Sequence, residues 1–297
     1  MAQVQLPVFH RGFGGTMRRD AWWIRPIVIV ILLGSFLGYA NWAAWQGDHY
    51  QFGNYLSPFY SPLLFGPDPF AWFGPRPAWF PAWISPALLI LPFPGLFRVT
   101  CYYYRGAYYR SFWADPPSCA VGEPRKTYWG EKSFPLILQN IHRYFLYAAL
   151  CFLLILLHDV WHALHFADPV TGVEHFGLGV GTLVLAVNVT LLTGYTLGCH
   201  SLRHIVGGHL DQLAGRPVRQ AAYECASCLN RRHMYWAWMS LLSVAFSDIY
   251  VRMCSMASGP TIVSSKWPTS RRTITTFSSS APAAPDSAPP SKRPPPA

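Results

Sequence analysis

The chain has 297 residues, of which 52% are hydrophobic and only 12% are charged. Soluble domains carry about 25% charged residues, so this composition points away from a soluble domain and indicates an integral membrane protein. Seven cysteines in a chain of this length exclude a secreted disulfide scaffold. The formal net charge is +10, but the basic residues lie between long apolar runs, which argues against nucleic-acid binding.

Five apolar stretches approach the length of about 20 residues that a helix needs to cross the hydrocarbon core. They run from about 26 to 45, 78 to 97, 136 to 166, 176 to 198 and 234 to 251. The second is the weakest, because it contains four internal prolines, each lacking a backbone donor. The first is too long for a signal peptide and is expected to be retained. We predict an all-α bundle of five transmembrane helices.

The basic residues predict the orientation of this bundle. Four arginines precede the first span, six basic residues lie between 98 and 132, and five arginines lie between 203 and 232. The stretch from 46 to 79 contains only Arg76, and the turn from 167 to 175 contains no Lys or Arg. Because positive charge marks the cytoplasmic side, the N-terminus and the second and fourth loops are predicted to be cytoplasmic. We expect a multi-pass protein of the plasma membrane.

This pattern divides the chain into three parts. Residues 1–25 are expected to be a cytoplasmic segment, and residues 26–257 the transmembrane anchor domain. From 258 to 297 the composition changes to Ser, Thr, Pro and Ala with scattered basic residues. Such a segment cannot bury a core, so a disordered tail is predicted.

Potential metal ligands collect at the cytoplasmic ends of the last four spans. In chain order they are Cys101, His142, the group Cys199, His200 and His204, and His233. Helix bundles build metal and cofactor sites from side chains on facing helices. Thiolates favour iron–sulfur clusters, and imidazole binds iron, copper and zinc. The residues therefore indicate a redox centre, although helix capping at the membrane boundary would also explain them.

Two kinds of centre suit these residue types. A Rieske-type [2Fe–2S] cluster has two Cys on one iron and two His on the other. A b-type haem needs only two facing imidazoles, and His142 with His200 or His204 would supply them. Two further groups are weaker: His158, His162 and His165 form a polar stripe on one helix face, and Cys225 and Cys228 form a CxxC that lacks the second pair of a zinc site.

The stretches VTCYYYRGAYYRSFW, PPSCAVGEP, FPLILQNIHRYF, GYTLGCHSLRHIVGG and NRRHMYWAW…SDIYVRMCSM cover roughly Arg98 to Met256. In them the sequence resembles the membrane-anchor subunit of actinobacterial succinate dehydrogenase or fumarate reductase. The first hundred residues match more loosely, and the tail beyond Met256 departs from the family's pattern. The resemblance implies an anchor for a flavoprotein subunit and an iron–sulfur subunit. Electrons from succinate would then pass through the anchor to a membrane quinone.

The resemblance also implies a Rieske-type [2Fe–2S] cluster inside the anchor, with two Cys and two His ligands. One ligand from each helix gives Cys101, His142, Cys199 and His233. Cys119 is the reserve for a Cys, and His200 or His204 for a His. If His204 is not a ligand, we expect it to contact the quinone together with Arg203. A b-haem anchor and a metal-free structural anchor remain the alternatives.

Overall fold

The protein is described from a computed structural model that covers residues 12–66, 70–81, 83–125, 136–168, 171–208, 212–213, 215–256 and 263–264. The predicted tail at 258–297 therefore lies outside the described residues, except for 263–264. The prediction of a mostly helical protein is confirmed.

Four long helices form the body of the fold. They are α1 (Ile24–Gln46), α5 (His142–His162), α6 (Val180–Leu197) and α9 (His233–Ser255). Within the described chain, length and apolar composition identify three membrane-crossing candidates, namely α1, α6 and the stretch Ile137–His162 that contains α5. The fourth, α9, is as long as α1 but carries Asp248 and Arg252 near its end. These criteria alone do not reach the predicted count of five.

Shorter helices connect the long ones. They are α2 (Ala87–Ile90), α3 (Pro92–Val99), α4 (Tyr102–Phe112), α7 (His200–Gly207) and α8 (Pro217–Arg231), with 3-10 turns at Pro58–Tyr60 and Leu136–Ile141. The stretches of α4, α7 and α8 fall in the predicted second and fourth loops. All three are helical, and α4 and α7 position the predicted ligands.

The second predicted helix, at 78–97, is shorter in the structure and is interrupted. Helix begins only at Ala87, after Pro86, and breaks again at Leu91 before α3 starts at Pro92. Proline is tolerated in the first turn of a helix, where its missing N–H has no partner to lose, but it disrupts a helix interior. Of the four prolines that the sequence places inside one span, Pro86 and Pro92 therefore lie at helix starts.

Two other predicted spans are shorter than expected, because short strands occupy their ends. Strand β3 (His165–Ala167) pairs antiparallel with β4 (Glu174–Phe176), so the third span ends before 166 and the fourth starts after 176. Strand β1 (Gln51–Phe52) pairs with β2 (Tyr55–Leu56) after α1. Strand β5 (Leu178–Gly179) pairs with β6 (Val263–Ser264).

The main core lies where α3, α4, α5, α6 and α9 meet. Its buried residues include Cys101 and Cys199 together with Phe97, Leu146, Tyr195 and Leu241. Helix α6 packs closely along α9. A Cβ added at Gly194 would lie 2.7 Å from the Trp236 ring, so glycine permits this approach. The close packing holds both cysteines inside the bundle.

Candidate metal centre

Each of the four predicted ligands lies at the start of a helix. Cys101 and Cys199 have extended backbone at the N-cap positions of α4 and α7. His142 and His233 are the first residues of α5 and α9. The first N–H groups of a helix lack partners within it, and the helix dipole is positive there. The N-termini of α4 and α7 therefore lie at the two cysteines.

The side chains meet in two pairs. His142 Nε2 lies 3.1 Å from Cys199 Sγ, and His233 Nε2 lies 3.6 Å from Cys101 Sγ. Cys101, Cys199 and His142 are buried, with relative exposures of 3%, 1% and 7%. His233 is half-buried. The structure thus brings all four predicted residues together from four separate segments of the chain.

A hydrogen bond from α3 orients His142. The Thr100 hydroxyl donates its only proton to the Leu96 carbonyl oxygen at 2.6 Å. In its second hydrogen bond, to His142 Nδ1 at 2.7 Å, the hydroxyl oxygen is therefore the acceptor. The Nδ1 proton of His142 therefore donates to Thr100, and Nε2 keeps the lone pair that faces Cys199. A ring fixed through its second nitrogen is typical of metal-binding histidines.

Each imidazole also lies flat against an aromatic ring. His142 stacks on Phe97 with 4.8 Å between ring centroids, and His233 stacks on Tyr195 at 5.0 Å. The Nδ1 atom of His233 is buried and has no hydrogen-bond partner among the described residues. Buried polar atoms without partners are rare. An orphan nitrogen in this position indicates that the site is built to hold another group.

The four side chains line one cavity of about 670 Å³. Its other walls include polar side chains from four segments of the chain: Thr100, Gln139, Asn140, His200, Ser201 and Asn230. Burial, followed by the effect of the nearby Cys101, raises the pKa of the Cys199 thiol to about 11. Desolvation therefore outweighs the helix N-terminus, and a metal must displace the thiol proton when it binds.

The donor set decides which groups this cavity suits. Within the described chain, no three His, Cys, Asp or Glu side chains converge on a single metal position. Two thiols and two imidazoles match a Rieske-type cluster in kind and number. The nearest contacts, however, join each cysteine to a histidine, whereas such a cluster pairs like with like. The residues fit the group in kind and number.

The reserve ligands lie in different places. Cys119 is exposed, its carbonyl oxygen accepts from Arg18 at 2.9 Å, and it does not line the cavity. His200 lines the cavity, and its Nε2 lies 3.0 Å from that of His204 on the same helix. The Arg203 guanidinium donates to the Tyr223 hydroxyl at 2.8 Å.

Of the two weaker groups, the histidine stripe brings His158 and His162 together, with 3.2 Å between their Nε2 atoms. The CxxC cysteines, Cys225 and Cys228, are both exposed on α8. Neither group reaches the ligand cavity.

Three residues of the site were missed from the sequence: Thr100, Phe97 and Tyr195. Thr100 directly precedes Cys101, so its position next to a candidate ligand could have identified it as a residue of the site. Phe97 and Tyr195 carry no such signal, because an aromatic residue in an apolar helix is ordinary.

The chain is similar to known proteins over most of its length. A family model described as actinobacterial succinate dehydrogenase subunit SdhC matches residues 24–257. A chain of the Mycobacterium smegmatis Sdh1 complex in the apo form is 40% identical, with a TM-score of 0.78. That alignment covers 88% of this chain and 97% of the other. Among curated proteins, none matches. The protein belongs to the family of actinobacterial succinate dehydrogenase membrane subunits.

Proposed function

We propose that the chain is the membrane-anchor and electron-transfer subunit of a succinate:quinone oxidoreductase. Cys101, His142, Cys199 and His233 would hold a Rieske-type [2Fe–2S] cluster. When bound, such a cluster accepts and passes on one electron at a time, here between the iron–sulfur subunit and a membrane quinone. The observation that carries the proposal is the convergence of two thiols and two imidazoles on one cavity, with Cys101, Cys199 and His142 buried.

The local structure supports a centre that carries negative charge. The N-termini of α4 and α7 supply partly positive N–H groups next to the two cysteines. Thr100 fixes the His142 ring, and Phe97 and Tyr195 hold the planes of both imidazoles. Ligands that are held in place before a metal binds need little rearrangement, which favours fast electron transfer.

The proposal includes five membrane crossings with the N-terminus in the cytoplasm. In α9, Asp248 and Arg252 are buried and form an ion pair at 2.7 Å, so their charges face the bundle and not the lipid. The second crossing contains only the short helices α2 and α3, which together run from Ala87 to Val99 and span about 20 Å. Its described residues before Ala87 are non-helical, and Trp79 and Trp83 among them are exposed, as aromatic residues at a membrane interface are.

The same arrangement indicates where the partner subunits bind. The ligand-bearing helix ends lie on the side predicted to be cytoplasmic, next to the basic second and fourth loops. A flavoprotein subunit and an iron–sulfur subunit bound there would have a short path to the centre. Succinate oxidation itself would occur in the flavoprotein, and this chain would contribute the membrane, cluster and quinone sites.

The test is a low-temperature EPR spectrum of the dithionite-reduced whole complex. We expect a Rieske-type signal in the wild type and its loss in the His142→Ala, His233→Ala double variant. His175→Ala, on the exposed strand β4, is the matched control and should keep the signal. A signal that persists in the double variant would indicate that His200 or His204 supplies the histidine ligands instead.

Two further outcomes would overturn the cluster. A visible spectrum with haem bands and no Rieske-type EPR signal would identify a b-haem anchor. Quinone reduction that survives the loss of all four ligand residues would identify a metal-free anchor. The predicted quinone contacts Arg203 and His204 stay a prediction, since both lie on α7 outside the ligand cavity.

A further inference from the structure

A pocket of about 340 Å³ lies between the start of α1 and helix α4. Trp22, Arg25 and Ile29 line it on the α1 side, and Pro117 and Ser118 of the segment after α4 close another side. None of the four candidate metal ligands lines it. The metal centre therefore does not account for this pocket.

Two arginines line this pocket, Arg25 from α1 and Arg110 from α4. Among the described residues, neither guanidinium forms a hydrogen bond or an ion pair. Arg18, by contrast, pairs with Asp20. No acidic side chain of the described chain lines the pocket. Two cations without partners at one pocket repel each other, and an anion bound between them would remove that repulsion.

Two further residues of α4 leave space and bonding capacity at the pocket, Gly106 and Ser111. A Cβ added at Gly106 would meet no atom within 4 Å. Glycine in a helix interior costs about 1 kcal/mol relative to alanine, and the packing of the described chain does not require it here. Ser111 Oγ is buried and has no hydrogen-bond partner among the described residues. A group from outside the chain would fill the space and supply an acceptor for the hydroxyl.

The position of the pocket along α1 indicates which kind of anion it suits. As a membrane-crossing candidate, α1 begins at Ile24, so Arg25 lies at the membrane boundary and Ile29 about one helical turn further in. Trp22 lines the pocket, and the neighbouring Trp23 is exposed, as aromatic residues at a membrane interface are. The pocket therefore extends from the level of the lipid headgroups to that of the acyl chains.

We infer that this pocket binds an anionic phospholipid, with Arg25 and Arg110 holding the phosphate and an acyl chain lying against Ile29. The inference rests on the membrane orientation given under the proposed function, but not on the cluster. Arginine binds phosphate oxygens through its planar fork of N–H donors, and basic pockets between membrane helices on the cytoplasmic side bind phospholipid headgroups. A soluble phosphate ion shares the headgroup's chemistry but would leave the apolar wall at Ile29 uncovered.

The first test is photo-crosslinking of the whole complex in phosphatidylcholine nanodiscs that contain a trace of phosphatidylglycerol with a photoreactive headgroup. We expect label on peptides that cover 22–29 and 102–111, and a fall in that label when unlabelled phosphatidylglycerol replaces the phosphatidylcholine. Equal label in both lipids would overturn the inference. So would competition by inorganic phosphate, which would identify a site for a soluble anion, or no label on these peptides, which would indicate that a partner subunit fills the pocket.

A matched pair of glycine variants tests the space in the pocket. Gly106→Leu places a side chain in it without meeting another atom of the chain, and Gly34→Leu makes the same change at an open, exposed position inside α1 that does not line the pocket. We expect labelling to fall about tenfold or more in Gly106→Leu, because the leucine overlaps the lipid. Labelling should stay at the wild-type level in Gly34→Leu. Equal labelling of the two variants would overturn the inference.

The Arg25→Gln, Arg110→Gln double variant tests the contact with the phosphate. Since hydrogen bonds between charged groups contribute strongly to binding, we expect its preference for phosphatidylglycerol over phosphatidylcholine to fall about tenfold or more. Arg19→Gln removes an exposed arginine of the same N-terminal region that does not line the pocket, and it should keep the preference. An equal loss in Arg19→Gln would show that general surface charge attracts the lipid, and would overturn the inference. Because the label reports on lipid alone, label at the pocket without a Rieske-type EPR signal would uphold this site and contradict the cluster.

Discussion

The two ends of α9 carry buried polar clusters of opposite character. Near its end, Asp248 accepts hydrogen bonds from Tyr39, Ser57 and Arg252. Arg252 also donates to the Gln46 side chain and to the Asp48 and Ala43 carbonyl oxygens. At its start, His233 has one contact with a thiol at 3.6 Å and a buried Nδ1 without a partner in the described chain.

This difference separates a structural role from a functional one. A buried charge is stable only when its hydrogen bonds are satisfied, and the Asp248–Arg252 network meets that condition by joining α9 to α1 and to the Pro58–Tyr60 region. The Cys/His cluster leaves bonding capacity unused, which is unfavourable unless a ligand fills it. Sites that break a local rule of stability are where function is expected.

The largest predicted effect is on stability and concerns the Asp248–Arg252 network near the end of α9. Asp248→Asn removes the negative charge and leaves Arg252 buried without its ion pair, and such a loss destabilises a protein by about 3–5 kcal/mol. We expect a clear fall in the thermal unfolding temperature of the purified complex. Glu174→Gln, which changes an exposed carboxylate on β4, should leave that temperature unchanged. Equal stability of the two variants would contradict the structural role of this network.

The next effect is at the other end and concerns metal retention. Thr100→Val removes the acceptor of the His142 Nδ1 proton, and loss of such a partner typically lowers metal affinity 10–100-fold, about 1.4–2.7 kcal/mol. We expect the complex to lose iron and its EPR signal faster in the presence of a chelator. Thr100→Ser keeps the hydroxyl and should behave like the wild type. Equal retention in Thr100→Val would show that Thr100 does not position the ring.

The contrast between the two ends also explains what could be predicted from the sequence. The candidate ligands Cys101, His142, Cys199 and His233 were predicted because Cys and His are conspicuous next to long apolar spans and because the family resemblance implies two of each. Asp248 lies within the last predicted span and Arg252 directly after it, where both are equally conspicuous, yet nothing in the sequence shows that Tyr39 and Gln46 from α1 lie beside them. Partners so distant in sequence meet only through tertiary packing.

The helix ends show the same limit at short range. The long apolar runs locate α1, α6 and α9 to within about four residues and α5 to within about six, but they do not show that Pro86 and Pro92 lie at the starts of α2 and α3. Proline has a different effect in the first turn than in the interior, and the sequence does not state which position each proline takes. Helices α4 and α7 were missed because their polar and aromatic residues lack an apolar run.

The smallest predicted effect tests whether the Tyr103 hydroxyl belongs to the candidate metal site. Tyr103 lines the ligand cavity, but its hydroxyl oxygen accepts from Trp238 Nε1 at 2.7 Å, joining α4 to α9. We expect Tyr103→Phe to destabilise the complex by about 1 kcal/mol, the usual contribution of one hydrogen bond. The EPR signal should keep its shape, since this hydroxyl serves packing and not the metal centre.

A double-mutant cycle with Trp238→Phe measures that bond directly. Trp238→Phe removes this bond and also part of the ring that packs on Tyr104, so the double variant should be about as stable as Trp238→Phe alone, with a coupling of about 1 kcal/mol. A change in the EPR signal of Tyr103→Phe that Trp238→Phe does not reproduce would instead place the Tyr103 hydroxyl among the groups that contact the metal centre. The cycle therefore tests whether a polar group that already has a protein partner is excluded from the site.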